Sequence, residues 1–202
     1  MCRLLETIRV ENGVPMNMEY HQRRVDRTYR ELFGPEEPPD LTSLVPPALP
    51  VAGIFKWRVI YGRGIRETTL EPYRPGNIMS LQMVRNDRAE YRFKYLDRAV
   101  IHEMFARRGE CDDILVVRNG LVTDTSYANI LFRFGKSWVT PRNPLLAGTC
   151  RERLLETGVI CEAEIAETDL HMFSAASLIN AMLEPGVIVI EMKDIIPVPS
   201  NR

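Results

Sequence analysis

The sequence predicts a mixed fold, α+β or α/β, that is built as two lobes. Most apolar residues occur in short runs of strand length, separated by turn pairs such as Asn12-Gly13 and Asn119-Gly120. A few longer segments carry apolar residues at helical spacing instead. Residues 86–90 are polar and form the candidate boundary, which gives a small α+β lobe at 1–86 and a larger α/β lobe at 87–202.

The small lobe is expected to begin with a hairpin and a helix. Residues 4–10 and 14–18 flank the Asn-Gly pair, which favours a tight hairpin turn. From His21 the apolar spacing becomes helical, and Gly34-Pro35 ends the helix. The proline-rich residues 34–50 are predicted to form a surface connection. Further strands of this lobe are expected at 53–61, 65–70 and 78–84.

The larger lobe is expected to contain two helices among several strands. The first helix should run from Leu96 and end at Gly109, because apolar residues recur on one face between them. The second should start near Thr149. Strands are predicted at 114–117, 128–134, 138–141, 177–182 and 187–192.

Composition excludes several classes of function. The 202 residues carry a net charge of -1, which gives no bulk attraction to nucleic acid or to an anionic membrane. The N-terminus lacks the apolar run of a signal peptide, and no segment is long enough to span a bilayer. The four cysteines form no metal-binding spacing, so no metal site is expected. We therefore expect a cytoplasmic protein without nucleic-acid or membrane partners.

Lys94 is the first candidate for chemistry, because it stands between the aromatic residues Phe93 and Tyr95. Partial burial there would disfavour the ammonium ion and lower the lysine pKa, as a Schiff-base lysine requires. Most lysines are solvated surface cations, and that alternative stays open.

Asp124 is the second candidate, because it lies between Val122 and the apolar run 128–134. A buried carboxylate there could pair with a protonated pyridine nitrogen and keep the ring an electron sink. A turn or capping role is the alternative.

Two further features suggest binding of an anion. The helix predicted to start at Gly148-Thr149 would expose its first N–H groups, although simple capping by Thr149 has the same pattern. Arg23 and Arg24 are expected in the first turn of the His21 helix, where the macrodipole disfavours cations. A bound phosphate would explain them, and so would two solvated side chains.

The order of these motifs resembles that of the class IV aminotransferases, the fold-type IV pyridoxal-phosphate enzymes with a D-amino acid aminotransferase-like fold. The family's motif H-x-x-R matches residues 21–24, T-P with G-x-x-R matches 140–141 with 148–151, and N-A-[LM] matches 180–182. Residues 94–98 resemble the family's K-x-L-N-R/Y, with Asp97 in place of the asparagine, and residues 122–130 resemble V-T-E-x-x-x-A-N-[IL], with Asp124 in place of the glutamate. The five elements follow the order that they have in the family. The resemblance covers nearly the whole chain and implies pyridoxal 5'-phosphate as the cofactor.

The resemblance also implies roles for individual residues. Lys94 would be the Schiff-base lysine, and Arg24 would bind the cofactor phosphate. Asp124 would replace the family's glutamate at the pyridine nitrogen, although it is one methylene shorter. The amides near Thr149 and Cys150 would hold the phosphate.

Within the family the chain is most similar to aminodeoxychorismate lyases. Arg98 stands where many transaminases carry a tyrosine that contacts the cofactor, and Asn180-Ala181-Met182 matches a lyase segment near the phosphate and substrate. Thr7 matches a pocket threonine that could protonate the departing group. The implied reaction converts 4-amino-4-deoxychorismate to 4-aminobenzoate and pyruvate, a step of folate precursor synthesis, with Lys94 as the base.

Two other functions remain open, and some expectations rest on the family alone. The chain could instead be a transaminase for branched-chain or D-amino acids, or a non-catalytic cofactor-binding relative. The match begins at Leu5-Glu6-Thr7, so the family's usual first strand and its loop are expected to be missing. Family membership implies a small-molecule amine substrate and a homodimer. Candidate groups for binding substrate carboxylates are Arg9, Arg58 and Arg98.

Overall fold

The computed structural model describes residues 3–198, which divide into two compact units. The first unit runs to Pro75 and also includes Phe93–Asp97, whereas the second comprises Gly76–Arg92 and the residues from Arg98 onward. The expected lobes, 1–86 and 87–202, therefore differ from these units. The boundary lies earlier than expected, and the segment that carries Lys94 belongs with the first unit.

The first unit is a four-stranded antiparallel sheet and one long helix. In the sheet the strands follow the order β2-β1-β3-β4. Val25 and Tyr29 of the helix share a buried core with Ile8, Trp57 and Val59 of the strands. The elements are β1 (Leu4–Glu11), β2 (Val14–Pro15), α1 (Met18–Phe33), β3 (Ile54–Gly62) and β4 (Gly64–Pro72).

The hairpin turn is confirmed, but the helix begins earlier than predicted. Asn12 and Gly13 both have positive φ, at 48° and 82°, as a tight turn of this kind requires. Asn17 is also left-handed, with φ at 56°, and the chain enters α1 directly at Met18. Arg23 and Arg24 consequently lie in the second helical turn. They do not lie in the first turn, where the macrodipole would disfavour cations, so that prediction was wrong.

The proline-rich connection after α1 is not only a surface segment. It contains a short 3-10 turn at Thr42–Leu44, and the side chain of Leu41 is fully buried. Gln22 of α1 accepts a hydrogen bond from the Leu41 backbone N–H at 2.8 Å. The connection therefore adds to the core of the first unit.

Segment 93–97 is attached to β1 by its backbone. The Leu5 N–H donates to the Lys94 carbonyl at 2.9 Å, and the Leu96 N–H donates to the Arg3 carbonyl at 2.9 Å. Phe93 and Tyr95 pack against the core of the first unit. Leu96 is therefore held in this segment and does not begin the helix that was predicted there.

The second unit is dominated by a nine-stranded sheet. Its main path follows the order β10-β9-β8-β7-β6-β5-β13, and β11 pairs with both β8 and β12. The elements are β5 (Leu81–Arg85), α2 (Ala99–Phe105), β6 (Asp113–Arg118), β7 (Leu121–Thr125), β8 (Asn129–Phe134), β9 (Ser137–Pro141), α3 (Thr149–Glu156), β10 (Ile160–Ala163), β11 (Ala175–Asn180), β12 (Leu183–Glu191) and β13 (Ile195–Ile196).

Most predicted elements of the second unit are present, and the mixed fold class is confirmed. The strand expected at 78–84 pairs in parallel with β6, so it belongs to this sheet and not to the antiparallel one. Strands β7, β10 and β13 were not predicted. Within residues 3–198, no helix combines the length and the apolar character needed to cross a lipid bilayer.

Candidate active site

Arg24 forms a buried ion pair with Glu6 in the first unit. Its Nε donates to Glu6 Oε1 at 2.9 Å, and its Nη2 donates to Glu6 Oε2 at 2.6 Å. His21 Nδ1 lies 2.6 Å from the same Oε2. His21 and Arg24 are three residues apart on α1 and therefore share one helical face. The H-x-x-R spacing thus delivers both side chains to one carboxylate of β1.

The charges of this cluster are set by burial and by mutual contacts. Burial opposes ionisation of Glu6, but the Arg24 charge and the His21 hydrogen bond outweigh it and lower the Glu6 pKa to about 2. Burial lowers the pKa of His21 against the pull of Glu6, and the positive charges of Arg24 and Lys94 lower it further. His21 is therefore neutral at pH 7, and Nδ1 must carry its hydrogen because ionised Glu6 only accepts.

Lys94 is half-buried in the first unit, as the aromatic neighbours led us to expect. The positive charges of Lys94 and Arg24 both lower the pKa of His21. The predicted cofactor lysine and the predicted phosphate ligand therefore belong to one electrostatic cluster. Phe93 and Tyr95 pack against the core on either side of Lys94 in the sequence and fix the segment.

Thr7 lies on the other face of β1 from Glu6. The strand alternates buried and half-buried residues, so Glu6 points into the core and Thr7 points away from it. Thr7 is paired across the sheet with Arg58, which is paired in turn with Thr69. The structure therefore places Thr7 in a polar row across the sheet, separate from the Glu6–Arg24 pair.

Asp124 is a buried strand residue of the second unit, which excludes the turn and capping alternatives. Its Oδ1 accepts a hydrogen bond from Asn129 Nδ2 at 2.7 Å, and its Oδ2 accepts one from the Leu146 N–H at 3.0 Å. Burial raises its pKa to about 6, although these two donors oppose the rise. Among the described residues, no cationic side chain forms an ion pair with this carboxylate. Such a group suits a cationic partner such as a protonated ring nitrogen.

Gly148 gives Asn129 the room that it needs to hold Asp124. A Cβ at position 148 would lie 2.2 Å from Asn129 Oδ1, a distance that forces a movement of the amide. Asn129 Nδ2 also donates to the Leu146 carbonyl at 2.8 Å. The absence of a side chain at Gly148 is therefore part of the geometry that supports Asp124.

Thr149 and Cys150 begin α3, as predicted. The N-cap of this helix is Gly148 and not Thr149, so capping by the Thr149 side chain does not account for the motif. Both residues are buried. Burial raises the pKa of the Cys150 thiol to about 11, so it stays protonated at pH 7. Cys150 could contribute to anion binding only through its backbone.

Arg98 and Asn180 both bind the turn that follows Asp124. Arg98 Nη2 donates to the Ser126 carbonyl, and Asn180 Nδ2 donates to the Tyr127 carbonyl at 3.5 Å. Asn180 Oδ1 accepts the Met182 N–H at 2.8 Å. The second unit therefore gathers the predicted residues Arg98, Asp124 and Asn180 around the β7–β8 turn.

Sequence reasoning missed two residues of these clusters, Glu6 and Asn129. Glu6 could have been found, because it occupies an inward position between Leu4 and Ile8 in an alternating strand, where a carboxylate requires a partner. Asn129 was seen only as a motif position, and its contact with Asp124 depends on the unpredicted strand β7.

Comparison with known proteins identifies the family. A family model described as amino-transferase class IV matches residues 3–189. The chain belongs to the class IV aminotransferase family. Among related proteins of this family, an uncharacterized protein of Haemophilus influenzae is 39% identical over 185 residues, which is 90% of this chain and 98% of that protein.

Solved structures with the same fold are also similar. A candidate 4-amino-4-deoxychorismate lyase from Haemophilus somnus is 32% identical, with a TM-score of 0.83 over 90% of this chain and 97% of that chain. A hypothetical aminotransferase from Mycobacterium tuberculosis, in its PLP-bound form, is 19% identical, with a TM-score of 0.73 over 98% of this chain and 84% of that chain. This second likeness shows the fold alone.

Proposed function

We propose that this class IV aminotransferase family member binds pyridoxal phosphate and converts 4-amino-4-deoxychorismate to 4-aminobenzoate and pyruvate. Support comes from the 32% identity to the candidate lyase of Haemophilus somnus, whose chain is covered to 97%. It also comes from the contacts of two residues that distinguish the lyase pattern, Arg98 and Asn180.

These contacts are the observation that carries the proposal. Arg98 and Asn180 hold consecutive carbonyls, those of Ser126 and Tyr127, in the turn that directly follows β7. A tyrosine in place of Arg98 would offer this turn one O–H donor instead of the five N–H donors of a planar guanidinium. The two lyase-like differences thus act on the same backbone, two and three residues after Asp124.

The residues present fit the cofactor. Asp124 is a buried carboxylate without an ion-pair partner among the described residues, and it would pair with the ring nitrogen. By the family resemblance, Arg24 in the first unit is a candidate to bind the phosphate, and so are the backbone amides of Thr149 and Cys150 in the second unit. Lys94 would join the cofactor covalently. When bound, pyridoxal phosphate supplies an electron sink for charge that develops on the substrate.

The proton transfers of the proposed reaction fall to two side chains. The Lys94 amine would take the proton from the amine-bearing carbon of the substrate as general base. The bond from the ring carbon to the enolpyruvyl oxygen would then break, and the ring would become aromatic. The Thr7 hydroxyl would donate a proton to that oxygen and regain one from solvent, so that the group leaves as enolpyruvate, which tautomerises to pyruvate.

Arg58 is the best candidate for binding a substrate carboxylate. It lies between Thr7 and Thr69 in the cross-strand row of the first unit. Its neighbour Arg9 is paired with Glu11 at 3.0 Å, and Lys56 is paired with Glu71 at 2.7 Å. Among the described residues, the Arg58 side chain forms neither a hydrogen bond nor an ion pair, although its backbone is paired in the sheet.

Absorption spectroscopy before and after borohydride reduction tests the cofactor and its lysine. The expected result is a visible band that disappears on reduction and leaves the cofactor on Lys94 in peptide maps. Lys94→Ala should lose both the label and turnover. Lys136→Ala, at an exposed lysine, is the matched control and should retain both. A fully active Lys94→Ala variant would reject the assigned role.

Two assays on the same preparation test the reaction. Release of pyruvate from aminodeoxychorismate would support the lyase, and transfer of the amine to 2-oxoglutarate would favour a transaminase instead. Bound cofactor without either activity would indicate a non-catalytic relative. The family resemblance also leads us to propose a homodimer, which light scattering would report as twice the chain mass.

A further inference from the structure

We propose that Glu6 is a positioning residue that fixes the direction of Arg24 for binding the phosphate of the cofactor. This inference rests on the proposed function, which assigns the phosphate to Arg24. It gives a role to Glu6, a residue of the matched segment Leu5-Glu6-Thr7 to which the resemblance assigned none.

The position of Glu6 requires an explanation. It is fully buried on the inward face of β1, in line with the core residues Leu4, Ile8 and Val10. A carboxylate in such a place is costly unless charged and polar partners surround it. Arg24 and His21 supply those partners.

The contact geometry shows what Glu6 fixes. It engages the side of the guanidinium that carries Nε and Nη2, through one hydrogen bond to each carboxylate oxygen. An arginine has five N–H donors in one rigid plane, so this pairing sets the plane and the direction of the remaining donors. A phosphate that binds Arg24 would meet those remaining donors. Without Glu6, the flexible side chain would have to be ordered when the phosphate binds.

His21 completes the arrangement without adding charge. It donates through Nδ1 to the oxygen that also accepts from Arg24 Nη2. Because His21 is neutral, Glu6 and Arg24 together carry no net charge, and Lys94 is the nearby cation that acts on His21. Glu6 consequently reduces the positive potential around Arg24 while it orients the side chain.

The two effects of Glu6 predict opposite results for its removal. If only charge mattered, Glu6→Gln would remove a negative charge next to Arg24, and phosphate would bind more tightly. If orientation matters, the same change weakens phosphate binding. Glu6→Asp adds a second test, because it keeps the charge but draws the carboxylate back by one methylene. Orientation predicts a loss for this variant too, whereas charge alone predicts no change.

The experiment compares binding of pyridoxal phosphate with binding of pyridoxal, which lacks the phosphate. Both are measured by absorbance titration of the cofactor-free wild type and of the variants Glu6→Gln, Glu6→Asp and Arg24→Lys. Glu6→Gln should weaken binding of pyridoxal phosphate by about tenfold or more and leave pyridoxal binding unchanged. In the Arg24→Lys background, Glu6→Gln should cause no further loss. Glu19→Gln, at an exposed glutamate of α1, is the control for charge and should change neither affinity.

The outcomes separate this inference from the proposed function. If the wild type binds both compounds equally, the phosphate role of Arg24 fails, and the inference fails with it. If the wild type prefers pyridoxal phosphate but Glu6→Gln weakens both compounds equally or tightens the phosphate-bearing one, only the inference is overturned. A further loss in the Arg24→Lys background would also overturn it, because Glu6 would then act independently. Should Glu6→Gln fail to fold, Glu6→Asp gives the same decision.

Discussion

At the scale of the single residue, Asp124 is a buried carboxylate that has hydrogen-bond donors but no ion-pair partner among the described residues. Two neutral donors hold its oxygens, yet its pKa is raised from 3.8 to about 6 because burial dominates. The folded protein therefore keeps a proton on Asp124 over a pH range in which the unfolded chain has lost it. A protonated ring nitrogen would reverse this balance by favouring the ionised form.

The raised pKa gives a pH prediction with a definite sign. Because the unfolded state binds fewer protons, the contribution of Asp124 to the free energy of unfolding should fall as pH rises from about 4 to about 6. The total change should be about 3 kcal/mol. The measurement is the free energy of unfolding by denaturant, without cofactor, for wild type and for Asp124→Asn at each pH. The difference between the two proteins cancels the titrations of other groups. A flat difference would contradict the assignment, and saturating cofactor should reduce the fall.

The segment 93–97 is the element on which the position of Lys94 depends. Two backbone hydrogen bonds attach it to β1, and two aromatic side chains pack it against the core. The lysine is thus placed by its neighbours in sequence and not by a regular strand or helix. The position of Lys94 should therefore become less well defined when the packing of Phe93 or Tyr95 is removed.

Hydrogen exchange tests this dependence. Tyr95→Ala should speed exchange of the Leu96 and Leu5 amides, which donate to the Arg3 and Lys94 carbonyls. Truncation of Tyr95 removes the packing of its side chain against the core, and this packing holds the segment in place. The amide of Ile8, in the middle of β1 opposite Trp57, should be less affected and is the internal control. Equal acceleration at all three amides would mean that the whole sheet opens, and the segment would have no separate dependence on Tyr95.

Some elements could be predicted from the sequence, and others depended on long-range contacts. The Asn12-Gly13 turn and the start of α3 follow local rules, and both were predicted. Strand β7 was not, because its single pair with β8, Asp124 with Asn129, joins a polar stretch that has no apolar alternation. The start of α1 was misplaced because a left-handed Asn17 shortened the hairpin strand.

The candidate site shows the same division between local and distant information. The family motifs indicated Lys94, Asp124 and Arg24, and their roles stay predictions. The partners of these residues, Glu6 and Asn129, emerged only from the structure, because side-chain pairs 18 and 5 residues apart depend on how elements pack. The role of Gly148 also emerged only from the structure, because its lack of a side chain leaves space for the Asn129 amide.

The whole molecule should respond to the proposed cofactor as a ligand of the folded state. At a concentration of about 100 times Kd, such a ligand adds about 2.7 kcal/mol to the free energy of unfolding. For a chain of this length, that corresponds to a rise in Tm of about 5–10 °C. Differential scanning calorimetry with pyridoxal phosphate should show this rise, and pyridoxal at the same concentration should give a smaller one. Equal rises would argue against specific recognition of the phosphate.

The order of the chain through the two units has a consequence for how the protein is made and recombined. During synthesis, the sheet of the first unit emerges well before residues 93–97, so β1 must wait for the segment that accepts the Leu5 N–H. A fragment that ends at Pro75 would contain every strand of that sheet and still lack Lys94. A chimera that took residues 1–75 from one homologue and the rest from another would likewise combine Glu6 and Arg24 of one protein with the lysine of the other. To keep the three residues together, residues 93–97 would have to be transferred as well. The first unit is therefore not a transferable module, although its strands are contiguous in the gene.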